Sequence, residues 1–529
     1  MRENAMSNPI KKAYVIAIII IILIAAGGYY WYTTTRKPPA PPPKPIILGT
    51  TDKITILDPA KAYDFFTWEI FQNIGEGLLK YKPGTTELVP GLAESYTVSE
   101  DGLTYTFKLR KGLKFTDGTP LTADVVKWSI DRQMHLQGDP SWLVTAFVDS
   151  VEVIDDYTVA FHLKKAVSYF PALVATVPYF PISPEAWPWD EFKDATVGIG
   201  PYKITYWERD VELRLEANPD YYGTPPKSKY FVVKFYKDSS SLRLALEAGE
   251  IDIAWRTLLP TDIEDFKKMP DKYNVIEVPG PYIRYIVMRC NQPPFDNVLL
   301  RKAIAAAVDR ERICRDIFLG TVEPLYSMIP KGMWSHIDAF LDEYGEHNIE
   351  LARQYLMQAG YNETHKFEIE LWYTPTHYGP TEADVAALVK EALEETGMIS
   401  VELKSAEWAT YAAEYIAQGV MPIFLLGWYP DYIDPDDYTT CFLHSEYSPD
   451  LGVFYSNPRM DELLEEAMVK KTIEERTPIY EEVQRLMAEE APVVPLFQGK
   501  LVAVTRVGIE GVVLDPTMIF RYYLVYSTE

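Results

Sequence analysis

A chain of 529 residues that is 47% hydrophobic and 24% charged can bury ordinary cores across about three domains, so it is not built to stay disordered. A formal net charge of -25 argues against nucleic acid and anionic lipid surfaces as partners. Cys290, Cys314 and Cys441 lack C-x-x-C spacing and allow at most one bridge, and the seven scattered histidines give no metal-ligand pair on a common helix face.

The N-terminal residues decide location. Residues 13–35 carry no charge, and their apolar part is about as long as the roughly 20 residues a membrane-crossing helix needs. Arg2, Lys11 and Lys12 precede it against Glu3 alone, which places residues 1–12 in the cytoplasm and all that follows Arg36 outside. Tyr29, Tyr30, Trp31 and Tyr32 suit an aromatic belt at the outer interface. The alternative is a cleaved secretory signal, for which Ala25-Ala26-Gly27 supplies small residues. Both exclude a lipid anchor on a processed N-terminal cysteine, since none precedes Cys290, and both export the rest. Residues 36–45, with the run PPAPPPKP, favour polyproline II and form a stalk. Without residues 1–45 the chain loses six basic residues and one acidic one, and its charge moves from -25 to -30. That surface mildly favours amine-bearing solutes.

From Glu87 to Arg132 the pattern is dense. Asp101-Gly102, Lys111-Gly112 and Asp117-Gly118 mark turns, while Tyr105, Phe107 and Leu109 alternate with Thr106 and Lys108 as a strand does. Thr122 is placed to cap a helix with the apolar stripe Val125, Val126, Ser129 and Ile130. Farther on, Thr381 with Asp384 reads as a capping box opening a helix over Val385, Leu388, Val389 and Leu393, ended by Gly397. A strand over 399–403, a helix over 407–418, an apolar strand over 422–428 and helices over 459–471 and 472–490 follow. This alternation predicts α/β architecture.

The Glu87–Arg132 stretch strongly resembles the signature region of the extracellular solute-binding proteins of dipeptide, oligopeptide and nickel ABC importers, family 5. Leu57-Asp58-Pro59, Glu76-Gly77-Leu78, Gly198-Ile199-Gly200-Pro201-Tyr202, Ala248-Gly249-Glu250-Ile251-Asp252, Pro293-Pro294-Phe295-Asp296, Ala359-Gly360-Tyr361 and Gly427-Trp428-Tyr429-Pro430-Asp431-Tyr432 extend the resemblance in order from residue 46 to about 500. It implies a two-lobed periplasmic-binding-protein-like fold with an extra inserted domain and a ligand cleft between lobes. It also implies a receptor that delivers peptides or related solutes to an ABC permease complex in the membrane, with no cofactor and no enzymatic activity. On this reading lobe I spans 46–80, 198–283 and 491–529, the insertion 81–197, and lobe II 284–490. Pro279-Gly280-Pro281 and the segment around Pro492 and Pro495 are the expected hinge strands.

Open α/β sheets bind ligands beyond the carboxyl ends of their strands, which points to the loop after 422–428. There Gly427-Trp428-Tyr429-Pro430-Asp431 resembles the family's ligand loop, in which the aspartate pairs with a peptide's α-ammonium group. By that resemblance Asp431 is the counter-charge, Trp428 a pocket wall, and the backbone of Gly427 to Tyr429 a strand edge for an extended peptide. Trp408 matches another pocket aromatic, and Tyr63 and Asp64 lie where the first lobe approaches the ligand. The alternatives are local: Asp431 and Asp434 as turn caps, Trp428 as core, Trp408 as helix packing, and Asp64 as a cap for the helix after it. The carboxylates Asp431, Asp434, Asp436 and Asp437 suggest a calcium loop but lack its glycine and terminal glutamate.

One feature departs from the peptide-binding pattern. Such members place a basic residue, usually arginine, two positions before the Gly-Trp pair or after the strand near Leu371. Here Leu425 and Thr374-Pro375-Thr376-His377-Tyr378 stand there. A buried peptide carboxylate without a partner costs several kcal/mol, so short peptides held at both ends are in doubt, and long peptides, amines or stacked sugars stay open. A secreted hydrolase is the rival of another class, but H-E-x-x-H and G-x-S-x-G are both absent from the sequence.

Overall fold

The computed structural model describes residues 44–528 apart from Thr376, Pro380 and Ala417. The expected cytoplasmic tail (1–12), membrane segment (13–35) and most of the proline-rich stalk lie outside the described residues. Among the described residues no helix is long and apolar enough to cross a membrane.

A large mixed sheet organises the globule. Its strands run in the order Ile399–Ser405, Phe367–Tyr373, Ile423–Trp428, Tyr273–Met288, Val493–Arg506, Ile253–Trp255, Ile46–Thr50, Tyr230–Phe235, Glu212–Ala217, Tyr202–Glu208. The two central strands are by far the longest. Tyr273–Met288 pairs with Ile423–Trp428 only through residues 283–288, and Val493–Arg506 pairs with Ile253–Trp255 only through residues 503–505. Each therefore serves one half of the sheet at one end and the other half at the other. They pair with each other throughout, except for register shifts between Pro279 and Ile283 and between Arg284 and Tyr285. Proline cannot donate to a ladder, so Pro279 and Pro281 loosen the strands where they pass from one half to the other.

A separate antiparallel sheet, ordered Ala93–Val98, Thr104–Leu109, Thr158–Leu163, Val148–Asp155, carries the meander. Tyr105, Phe107 and Leu109 are buried as their alternation requires. Thr122 accepts a hydrogen bond from Val125 N and caps the helix Ala123–Leu136. The module is tied to the first strand's segment by a buried pair: Arg132 reaches both carboxylate oxygens of Asp58 at 2.9 and 2.7 Å. The Leu57-Asp58-Pro59 motif is thus a structural clasp. Gly198 serves a similar end, because a Cβ there would collide with the carbonyl oxygen of Ile74.

Two local expectations are corrected. Thr381 makes no side-chain cap to the helix Glu382–Glu394. The segment expected as a helix over 407–418 is a short turn, Trp408–Thr410, continuing into the wider π-helical turns of Tyr411–Ile416. Of the pairings the sequence left open, none is present: Cys290, Cys314 and Cys441 are all free thiols.

Candidate functional site

A cleft of about 860 Å3 opens at the carboxyl end of Ile423–Trp428, beside the crossing strands. Segments from both halves of the sheet wall it: Asp52, Asp64, Phe65 and Arg256 on one side, Arg284, Tyr378, Glu382 and Tyr429 on the other. Its size is that of a small-molecule or short-peptide site. The aromatic rings are positioned by packing: Tyr282 stacks on Tyr429 at 5.3 Å and 15°, and Phe65 meets Tyr429 at 5.4 Å.

The structure divides the expected residues into three groups. Tyr429 and Asp64 stand on the cleft wall. Asp64 also caps the helix Phe65–Ile74, one carboxylate oxygen taking Thr67 N at 2.8 Å and the other the Thr55 hydroxyl at 2.5 Å. Its helix-capping alternative therefore holds alongside any role in the cleft.

A second group meets at the loop after the strand. The Tyr63 hydroxyl donates to Asp431 at 2.6 Å and accepts from the Trp142 indole at 3.2 Å. The Trp428 indole donates to Asp437 at 2.9 Å, and its ring packs edge-on against Phe442. Burial pushes Asp431 up to about 6, while the hydrogen bond from Tyr63 pulls it down. Asp437, fully enclosed and facing Asp431, is raised well above the usual carboxylate range by burial first and by its neighbour's charge second.

Trp408 forms the third group. Its ring stacks on His377 at 3.6 Å and 2°, set back from the cleft surface. Burial, with Arg284 adding to it, pulls His377 down to about 4, so the imidazole is neutral.

The carboxylates that suggested calcium have other partners. Asp434 receives both arms of Arg476 at 2.6 and 2.8 Å, and Asp436 takes Tyr432 and Thr440. The strand edge beyond Phe424 is also partly used: Tyr411 donates to Leu425 O at 2.7 Å and Tyr378 to Gly427 O at 3.2 Å.

Sequence reasoning missed Arg284. The two family positions hold no arginine, as the sequence shows, but Arg284 reaches the cleft from the crossing strand, directly opposite Gly427 in the ladder. A Cβ at residue 427 would collide with Arg284 Nη1 and stand 2.9 Å from Tyr378 Cε1, so glycine is what lets the guanidinium lie across the strand. The signal was a single charge inside the apolar run Tyr282-Ile283-Arg284-Tyr285-Ile286. Arg256 is the other guanidinium in the wall; it contacts Glu69 at 3.1 Å and Met518 O at 2.7 Å. Both Arg256 and Thr257 adopt left-handed backbone, φ 57° and 55°, a strained pair facing the cleft.

The family model for bacterial extracellular solute-binding proteins, family 5, matches residues 87–450, more than half of the chain. The chain belongs to that family. A dipeptide-binding protein of Escherichia coli is 28% identical over 471 residues, covering 83% of this chain and 86% of its own. Heme-binding protein A of Haemophilus influenzae is 27% identical over 489 residues, with 87% of each chain covered. Among solved structures, the periplasmic binding protein DppA of Helicobacter pylori in complex with the peptide STSA superposes with a TM-score of 0.75 at 25% identity, over 92% of this chain and 98% of its own. The family-5 protein described here accordingly has the two-lobed periplasmic-binding fold. It is a substrate-binding transport protein working outside the cytoplasm with an ABC permease, and not an enzyme. The oligosaccharide reading gains no support from these relatives.

Proposed function

We propose that this protein captures short peptides or related amine solutes in the cleft and closes its lobes over them. The observation that carries this reading is the convergence of two arms of the fold on one cavity: Asp64 and Phe65 from the segment after the first strand, and Tyr429 from the loop after Ile423–Trp428, with Tyr63 and Asp431 of the same two arms hydrogen-bonded to each other. A ligand bridging those arms draws them together, and the irregular ladder at Pro279–Ile283 lets the crossing strands bend. Asp431 supplies the counter-charge for an ammonium group, Trp428, Gly427 and Tyr63 shape the approach to it, and Trp408 backs the cleft wall through His377 and Tyr378. The division proposed is lobe I at 46–80, 198–283 and 491–529, an insertion at 81–197 and lobe II at 284–490.

Small-angle scattering with and without a bound peptide tests closure. Compaction is expected; an unchanged profile at saturating peptide would argue for a static binder.

We also propose that residues 13–32 stay attached as a membrane anchor, with the proline run as a spacer. The uncharged apolar segment behind Arg2, Lys11 and Lys12 supports it. Mass spectrometry of the native protein checks it: an N-terminus beginning after Gly28 removes the anchor.

A further inference from the structure

Arg284 is 5% exposed, yet it lines the cleft. A guanidinium has five N–H donors, and burial of its charge is tolerated when those donors and the charge are matched. Two buried arginines outside the cleft are matched closely, whereas the fully buried Arg310 has neither Nη hydrogen-bonded. Arg132 holds Asp58 at 2.7 and 2.9 Å, and Arg476 holds Asp434 at 2.6 and 2.8 Å. Arg256, in the same cleft wall, has Glu69 at 3.1 Å and a carbonyl at 2.7 Å.

Arg284 is left short. Its Nη1 donates to Ile283 O at 3.2 Å and its Nη2 to the Tyr429 hydroxyl at 3.4 Å, both long for such bonds. The carboxylate of Glu382 stands 3.6 Å from Nε, beyond hydrogen-bond distance, and Nε has no hydrogen-bond partner. The group is nevertheless held in place. Tyr378 lies face-on 3.8 Å from Cζ, Tyr429 and Tyr282 flank it at 5.5 and 6.0 Å, and Gly427 leaves the space it occupies. An orientation this restricted, with donors this poorly used, suits a planar acceptor entering from the cleft.

We propose that Arg284 is the anion-binding residue of the cleft and takes a ligand carboxylate through paired N–H donors. A carboxylate supplies two acceptor oxygens in a plane, which neither Ile283 O nor the Tyr429 hydroxyl can do. Glu382 then acts as the resident partial counter-charge of the unliganded cleft. Where Asp431 takes the ammonium group as proposed above, the ligand is a zwitterion with an amine at one end and a carboxylate at the other. This assignment rests on the peptide reading above and narrows it to peptides with a free acid group.

Three synthetic tripeptide libraries test it, one with free C-termini, one C-terminally amidated, and one methyl-esterified at all carboxyl groups. Each is incubated with the protein, and retained members are identified by mass spectrometry after ultrafiltration. Retention of the free-acid library should exceed that of the esterified one by about 30-fold or more. Loss on amidation alone places the C-terminal carboxylate on Arg284. Survival on amidation restricted to Asp- or Glu-containing members places an acidic side chain there. Arg284→Gln should abolish the preference and Arg284→Lys keep part of it, while the wild-type comparison needs no variant to fold. Esterified peptides retained as well as free ones overturn the assignment and leave the peptide reading standing. Retention of nothing from any library overturns the peptide reading and this assignment with it.

Discussion

The Tyr63 hydroxyl donates a 2.6 Å hydrogen bond to Asp431, a residue 368 positions away in the chain. The contact joins the start of one helix to the loop that ends the strand Ile423–Trp428, so the residue proposed to take an ammonium group already holds a donor. Replacing Asp431 with alanine should cost an amine ligand roughly 3 to 5 kcal/mol, since the ammonium would be buried without counter-charge. For a neutral ligand the cost should be nearer 1 to 3 kcal/mol, with Trp428→Ala hurting as much. Calorimetry on both variants separates the cases, and an amine that binds Asp431→Ala like wild type would sink the anchor role.

The pH dependence follows from the same carboxyl. Burial raises Asp431 to about 6, so the ionised form that an ammonium needs is lost as pH falls through that value. Affinity for an amine ligand should weaken below about pH 6. The hydrogen bond from Tyr63 opposes the rise, so Tyr63→Phe should move this midpoint upward; titrations at several pH values read it. Stability of the unliganded protein runs the other way. Between the ordinary value of 3.8 and about 6 the folded state holds the extra proton, so Asp431 costs stability as pH rises through that window.

Asp437→Asn is a mild change by the same reasoning. Burial keeps Asp437 protonated well above the usual carboxylate range, and an amide imitates that form while still accepting from Trp428. The expected loss at pH 7 is under about 1 kcal/mol by urea denaturation, against about 1 to 3 kcal/mol for Asp437→Ala, which orphans the indole. Equal losses for the two would contradict a neutral Asp437.

Asp434 and Arg476 form a buried two-armed pair, side chains 6% and 5% exposed. Asp434→Ala strands the guanidinium and should cost about 3 to 5 kcal/mol, seen as a lower urea midpoint. Asp434→Leu combined with Arg476→Met should recover much of it, because removing both charges removes the desolvation penalty. A double variant no better than Asp434→Ala would show that the pair itself carries net stability.

Gly427→Ala forces Arg284 and Tyr378 from their places. The expected penalty is about 1 to 3 kcal/mol in stability from overpacking, with a further loss of affinity for ligands bearing a carboxylate. Thermal unfolding and calorimetry report the two effects separately; an alanine variant with unaltered carboxylate affinity would argue against the Arg284 geometry.

Much of the architecture was legible because it is written in local patterns. Alternation at Tyr105, Phe107 and Leu109 and the cap at Thr122 belong to short windows whose physics is the same in any fold. The capping box expected at Thr381 failed, and 407–418 formed π-helical turns rather than a regular helix, because tertiary packing outweighs propensities of a few tenths of a kcal/mol.

By itself the sequence determined the family and the α/β class, since each rests on neighbouring residues, and it pointed to the loop at Gly427–Asp431. Only the tertiary structure decided what those residues touch. Asp431 meets Tyr63, Trp428 turns its indole to Asp437, and Arg284 enters the cleft from a strand outside the motif that marks it. The reason is the sheet: antiparallel pairing sets Arg284 against Gly427, and no spacing along the chain records which strands will become neighbours.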